Sequence, residues 1–127
     1  MATREGHRPL FWVGNALERL REFPDAAKDG IGYALYAAQR GDKHRNAKVL
    51  KGFSGAGVLE IVEDHDGDTY RAIYTVRFLG AVYVLHTFKK KSKSGIATPK
   101  QEIDIIRERL RSAEHHYAEY KRKTESQ

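Results

Sequence analysis

The chain has 127 residues and a net charge of +6, with 40% hydrophobic and 31% charged residues, which suits one soluble domain with a core of its own. No apolar run approaches the ~18 residues that span a bilayer and MATREGHRPL has no apolar signal core, so a cytoplasmic protein away from the membrane is expected. The lack of cysteine excludes a disulfide framework, a thiolate zinc site and a cysteine nucleophile, while the basic balance points to a polyanion such as nucleic acid or an acidic protein.

Leu10 to Val13 (LFWV), apolar and bounded by Pro9 and Gly14, reads as a first strand. Asn15 is placed to cap a short helix from Ala16 to Glu22, with Leu17 and Leu20 on its apolar face and Phe23-Pro24 as its stop. A second helix follows up to Gly41, carrying Ala27, Ile31, Ala34, Leu35 and Ala38 at helical spacing. Asp42 to Gly57 reads as a loop dense in positive charge, with Lys43, Arg45, Lys48 and Lys51 set against the lone Asp42. Val58 to Glu63 alternates as a strand, and Asp64 to Asp68 (DHDGD) is a hairpin turn whose glycine supplies a positive φ.

The next strand, Tyr70 to Phe78, sets Tyr70, Ala72, Tyr74, Val76 and Phe78 on one face and Arg71, Ile73, Thr75 and Arg77 on the other. Leu79-Gly80 turns the chain into Ala81 to Phe88 (AVYVLHTF), rich enough in β-branched and aromatic residues to be an interior strand. Lys89, Lys90, Lys91 and Lys93 follow it without an acid. Thr98 or the loop before it caps a last helix with Pro99 at its first position, and Ile103, Ile106, Leu110, Ala113, Tyr117 and Tyr120 form its apolar stripe. From Lys121 the tail is charged and expected to fray. No internal repeat or linker interrupts the chain, so residues 1–127 are expected to form a single domain with its core in about residues 10–113.

Three cationic groups come from separate places: the loop Lys43 to Lys51, the strand residues Arg71 and Arg77, and the run Lys89 to Lys93. If the loop folds over the sheet they converge on one pocket, where they would hold a phosphate and the added charge of its transition state; otherwise they form a solvated basic face. His86 sits in the apolar strand either as a proton shuttle or as a buried histidine satisfied by backbone. The DHDGD turn lacks a second set of ligands, and Gly52, Gly55 and Gly57 lack the strand and helix of a nucleotide loop, so neither metal nor cofactor is expected.

KVLKGFSGAGVLEI (Lys48 to Ile61), YRAIYTV (Tyr70 to Val76), VLHTFKKKSKSGIATPKQEID (Val84 to Asp104) and FPDAAKDGIGYALYAAQRG (Phe23 to Gly41) together resemble the RelE/HigB superfamily of toxins from bacterial toxin–antitoxin systems, in particular its phage-derived HigB-like branch. The resemblance implies a small α+β fold, a curved and mainly antiparallel sheet of about four strands with two N-terminal helices and a C-terminal helix, its helices packed on one side. It implies a ribosome-dependent, metal-independent endoribonuclease that cuts mRNA by attack of the 2′-OH on the adjacent phosphate, and a helix-turn-helix antitoxin encoded nearby. On that likeness Arg71 stabilises the phosphate, Lys89 and Lys90 occupy the catalytic basic end of the last strand, and His86 is the candidate for proton transfer. Lys43, Arg45, Lys48, Lys51, Arg77, Lys91 and Lys93 are then RNA contacts. The chain departs from the family pattern in having no tyrosine in Ser92 to Thr98, which leaves the general acid and base unassigned. The same lysines would also serve a non-catalytic module that binds RNA or an acidic protein.

Overall fold

The computed structural model describes residues 7–53, 55, 57–91 and 98–126. Its elements are β1 (Leu10–Trp12), α1 (Ala16–Leu20), α2 (Asp25–Gln39), β2 (Ala47–Val49), β3 (Val58–His65), β4 (Asp68–Thr75), β5 (Val82–Lys91) and α3 (Lys100–Glu125). The strands form one sheet in the order β1-β5-β4-β3-β2, in which β1 runs parallel to β5 and the other pairs are antiparallel. Asp66 and Gly67 adopt φ values of 50° and 82°, the left-handed pair of a two-residue hairpin. His65 therefore pairs with Asp68 and the register of β3 on β4 follows, with Glu60 opposite Ile73 and Val62 opposite Arg71.

Both faces of the sheet are covered. Ile61, Ala72, Tyr74, Val82 and Val84 pack with Ala27, Ile31, Ala34 and Leu35 of α2 in one apolar cluster. Val58, Ile73, Tyr83 and Leu85 pack with Ile106, Leu110 and Ala113 of α3 in the other. Full burial of a side chain such as Ile31 or Ile106 stabilises by roughly 2 kcal/mol, and the alternating strand residues deliver such burial on both sides. Within β5 the alternation shifts once: Ile73 pairs with His86 but Tyr74 pairs with Val84, leaving Leu85 as a bulge. The bulge turns Leu85 and His86 towards the same helix, α3.

Several expectations are corrected. The sheet has five strands rather than about four, because Ala47–Val49 in the basic loop pairs with Leu59–Ile61 at the sheet edge. The helices do not share one side: α3 lies opposite α1 and α2, since its stripe matches the second set of alternating strand residues. β4 stops at Thr75, so Arg77 is an exposed residue of the following turn and does not share a strand face with Arg71. The charged tail from Lys121 is helical, as α3 continues to Glu125. Neither expected capping side chain caps its helix: Asn15 and Pro99 occupy the N-cap positions without a capping hydrogen bond, and the Asn15 and Thr98 side chains reach tertiary partners instead. Among the described residues no helix is long and apolar enough to cross a membrane.

Candidate active site

The α3 face of β3 and β4 carries a carboxylate and a guanidinium in contact. Arg71 projects from β4 between its cross-strand partners Val62 and Phe88, and its Nη1 donates to Glu60 Oε2 at 2.7 Å. Their side chains are only 5% and 13% exposed. Thr98, just ahead of α3, donates its hydroxyl to the same Glu60 oxygen at 3.0 Å. Two donors therefore fix the carboxylate on the wall of a depression of about 480 Å³, which Lys48, Leu50, Lys51, Thr98 and Ile103 also line. Lys48 lies directly opposite Glu60 in the β2–β3 register and, like Lys51, is exposed. Arg107 of α3 stabilises that rim, its Cζ 4.7 Å from the Phe53 ring centroid and its Nη2 donating to the Gly52 carbonyl at 3.3 Å.

His86 occupies a different niche, 3% exposed, between β5 and α3. Arg109 Nη1 lies 3.1 Å from its Nδ1, and Glu102 Oε1 lies 2.6 Å from its Nε2. A guanidinium only donates, so Nδ1 is the acceptor and the proton resides on Nε2, which donates to Glu102. Burial holds this imidazole below its ordinary value; Glu102 acts in the opposite direction, and Arg109 and Arg19 reinforce the lowering. His86 is therefore a neutral ring with both nitrogens engaged. Burial likewise pushes the phenols of Tyr74 and Tyr83 up to about 12, with Tyr117 and Tyr120 adding to the latter, so neither is a proton acceptor near neutral pH.

The remaining cations divide among several places. Lys90, half-buried, pairs with Thr69 and lies on the same face of β5 as Phe88, the partner of Arg71. Lys89 points to the other side and lies 3.3 Å from Asp68. Lys43 lines a separate depression of about 300 Å³ with Arg8, Tyr74 and Leu79, and Arg45 is exposed ahead of β2. Lys91 pairs with Asp68 through the backbone of β5, while Lys93 lies outside the described residues. Of the expected set, Lys48 and Lys51 thus line one depression and Arg71 meets its wall through Glu60, Lys90 shares the Arg71 face, and His86, Lys89, Lys43 and Arg77 belong elsewhere.

Sequence reasoning missed Glu60, Thr98, Glu102 and Arg109. Glu60 was within reach: the Asp66-Gly67 turn dictates the hairpin register, which sets Glu60 opposite Ile73 and diagonal to Arg71, a separation that long side chains bridge. Glu102 and Arg109 gave no such signal, because nothing local says which side of the sheet α3 will cover.

The family model described as phage derived protein Gp49-like matches residues 18–111. A solved structure of the E. coli toxin RelE, a double arginine-to-alanine mutant in the free state, is similar with a TM-score of 0.50. Its sequence is 17% identical, and the alignment covers 70% of this chain and 87% of that one, a likeness of fold. No curated protein matches the chain in sequence.

Proposed function

This chain belongs to the phage derived protein Gp49-like family, and on that premise, with its RelE fold, we propose that it is the toxin of a toxin–antitoxin pair and cuts mRNA on the ribosome. The observation that carries the reading is the Glu60 carboxylate, held by Arg71 and Thr98 on the wall of a lysine-rimmed depression. Cleavage by an internal 2′-OH requires a group that takes its proton, positive charge around the pentavalent phosphorane, and a donor for the leaving 5′-oxygen. Glu60 takes the proton. Lys48 and Lys51 meet the phosphate at the rim, where one of these ammonium groups protonates the leaving oxygen. Arg71, bonded to Glu60, orients that carboxylate and adds positive charge behind it, and Lys90 extends the basic track along the same face. Lys43, Arg45 and Arg77 are then outlying contacts to RNA, and a helix-turn-helix antitoxin covers the basic rim.

The burial of Arg71 favours one alternative. A guanidinium committed to Glu60 also suits a basic binding module in which the pair is structural and the lysines alone hold RNA or an acidic protein. Expression in a bacterium of wild type, Glu60→Gln and Arg71→Met, with mapping of mRNA 5′ ends, separates the two. Growth arrest and new mRNA ends are expected from wild type and not from soluble Glu60→Gln. Wild type that is soluble, leaves growth and mRNA intact and yet retains RNA in pull-down would establish the binding module.

A further inference from the structure

His86, Glu102 and Arg109 form a polar cluster, with both histidine nitrogens engaged, under the N-terminal half of α3. Arg109 does more than bond the ring. Its Nη1 also donates to the Leu85 carbonyl at the β5 bulge at 3.1 Å, and its Nη2 donates to Asn15 Oδ1 at 2.7 Å. The guanidinium also lies against Gly14, where an added Cβ would sit 2.8 Å from Arg109 Cζ. One arginine therefore ties α3 to the bulge and to the turn between β1 and α1.

The other end of the cluster leads to the depression. Glu102, which accepts from His86 Nε2, is in the first turn of α3 next to Ile103, and Thr98 lies one residue before the Pro99 N-cap. Ile103 and Thr98 both line the depression, and Thr98 fixes Glu60. This turn has no side-chain cap of its own, so its placement depends on tertiary bonds rather than on local helix chemistry.

We propose that His86 is a positioning residue: with Glu102 and Arg109 it clamps the first turn of α3 where Thr98 and Ile103 wall the site and Thr98 keeps Glu60 in place. The inference rests on the reading of that depression as the RNA-cleaving site. His86 then makes no contact with the substrate, and binding and chemistry depend on different residues. The rim lysines that hold the phosphate are untouched by the clamp, whereas the orientation of Glu60 depends on it.

Amide hydrogen exchange of the purified full chain tests the clamp without reference to activity. Glu102→Ala should speed exchange of the Ile103 to Arg107 amides about tenfold, the factor that loss of one charged hydrogen bond gives, with the α2 amides unchanged. Glu102→Gln, which still accepts from Nε2, should stay close to wild type. Ribosome-programmed mRNA cleavage supplies the second measurement: Glu102→Ala should lower kcat with KM unchanged, and Glu102→Gln should restore it. Unchanged exchange in Glu102→Ala, or a Glu102→Gln as loose as Glu102→Ala, overturns the clamp. Cleavage absent from wild type sinks the toxin reading instead, and the exchange data still decide the clamp.

Discussion

Arg71→Met takes the guanidinium from a carboxylate only 13% exposed and 2.7 Å away. Breaking a buried ion pair by removing one partner costs about 3–5 kcal/mol, because the surviving charge stays desolvated. Glu60 retains the Thr98 hydroxyl and some solvent, which sets the expected loss at the lower end, about 3 kcal/mol. A small domain with a urea slope near ~1.5 kcal/mol/M would show this as a fall in midpoint of about 2 M, followed by far-ultraviolet circular dichroism. Glu60→Gln in the Arg71→Met background removes the stranded charge, and the double variant should regain about 2 kcal/mol, a coupling that the full cycle with Glu60→Gln alone measures. The recovered fold should not recover mRNA cleavage, because the proton acceptor is gone. A midpoint that moves less than about 0.5 M in Arg71→Met, or a double variant no more stable than it, would refute a desolvated pair at the wall of the site.

Glu60→Gln alone should lower the mRNA cleavage rate on ribosomes by about 10²-fold or more, the usual contribution of a positioned base; a rate within about threefold of wild type would remove Glu60 from the chemistry. Lys48→Gln and Lys51→Gln should each weaken RNA binding and flatten its salt dependence by about one unit of log–log slope, and an unchanged slope would mean that the lysine does not meet a phosphate. Burial holds the His86 imidazole below its ordinary value, with Arg109 and Arg19 reinforcing this against Glu102, so below ~6.5 the unfolded chain binds a proton that the fold does not. Stability should therefore gain nothing from His86 above ~6.5 and decline as pH falls through that value towards the lowered one. Urea midpoints against pH should show a smaller slope there in His86→Phe than in wild type; equal slopes would contradict a buried neutral ring. Thr87→Val, which removes the 2.7 Å bond to the Ala16 carbonyl in a fully buried setting, should cost about 1 kcal/mol by urea unfolding, and a neutral result would mean that the carbonyl finds another donor.

The legible part of the fold is the local part. The stripes Ala27 to Ala38 and Ile103 to Tyr120 are read from helical spacing; the first is buried throughout, and in the second Ile106 and Ala113 are buried while Ile103, Leu110 and Tyr117 pack partly buried against them. The Asp66-Gly67 turn is read from its residue types and takes the left-handed conformations that they permit. β2 has no sequence signal of its own because three residues centred on Lys48 are too short to show alternation, and Ala47–Val49 becomes a strand only by pairing with Leu59–Ile61. In the candidate site the basic residues stand out while their partners lie outside the acid-free stretch Thr69 to Gln101: Arg71 meets Glu60 from β3, and the neutral His86 meets Glu102 from α3.

By itself, then, the sequence determined the order and type of most elements, the β3–β4 register and the basic character of the rim, since spacing and turn chemistry act over a few residues. The tertiary structure alone decided which side of the sheet α3 covers and where the phase of β5 shifts. A one-residue bulge at Leu85 sends His86 to α3 rather than to α1 and α2, and strand periodicity carries no warning of it. The same long-range packing brought Thr98, just ahead of α3, onto the Glu60–Arg71 pair that the β3–β4 register sets, and so closed the cluster around a buried guanidinium that requires a carboxylate.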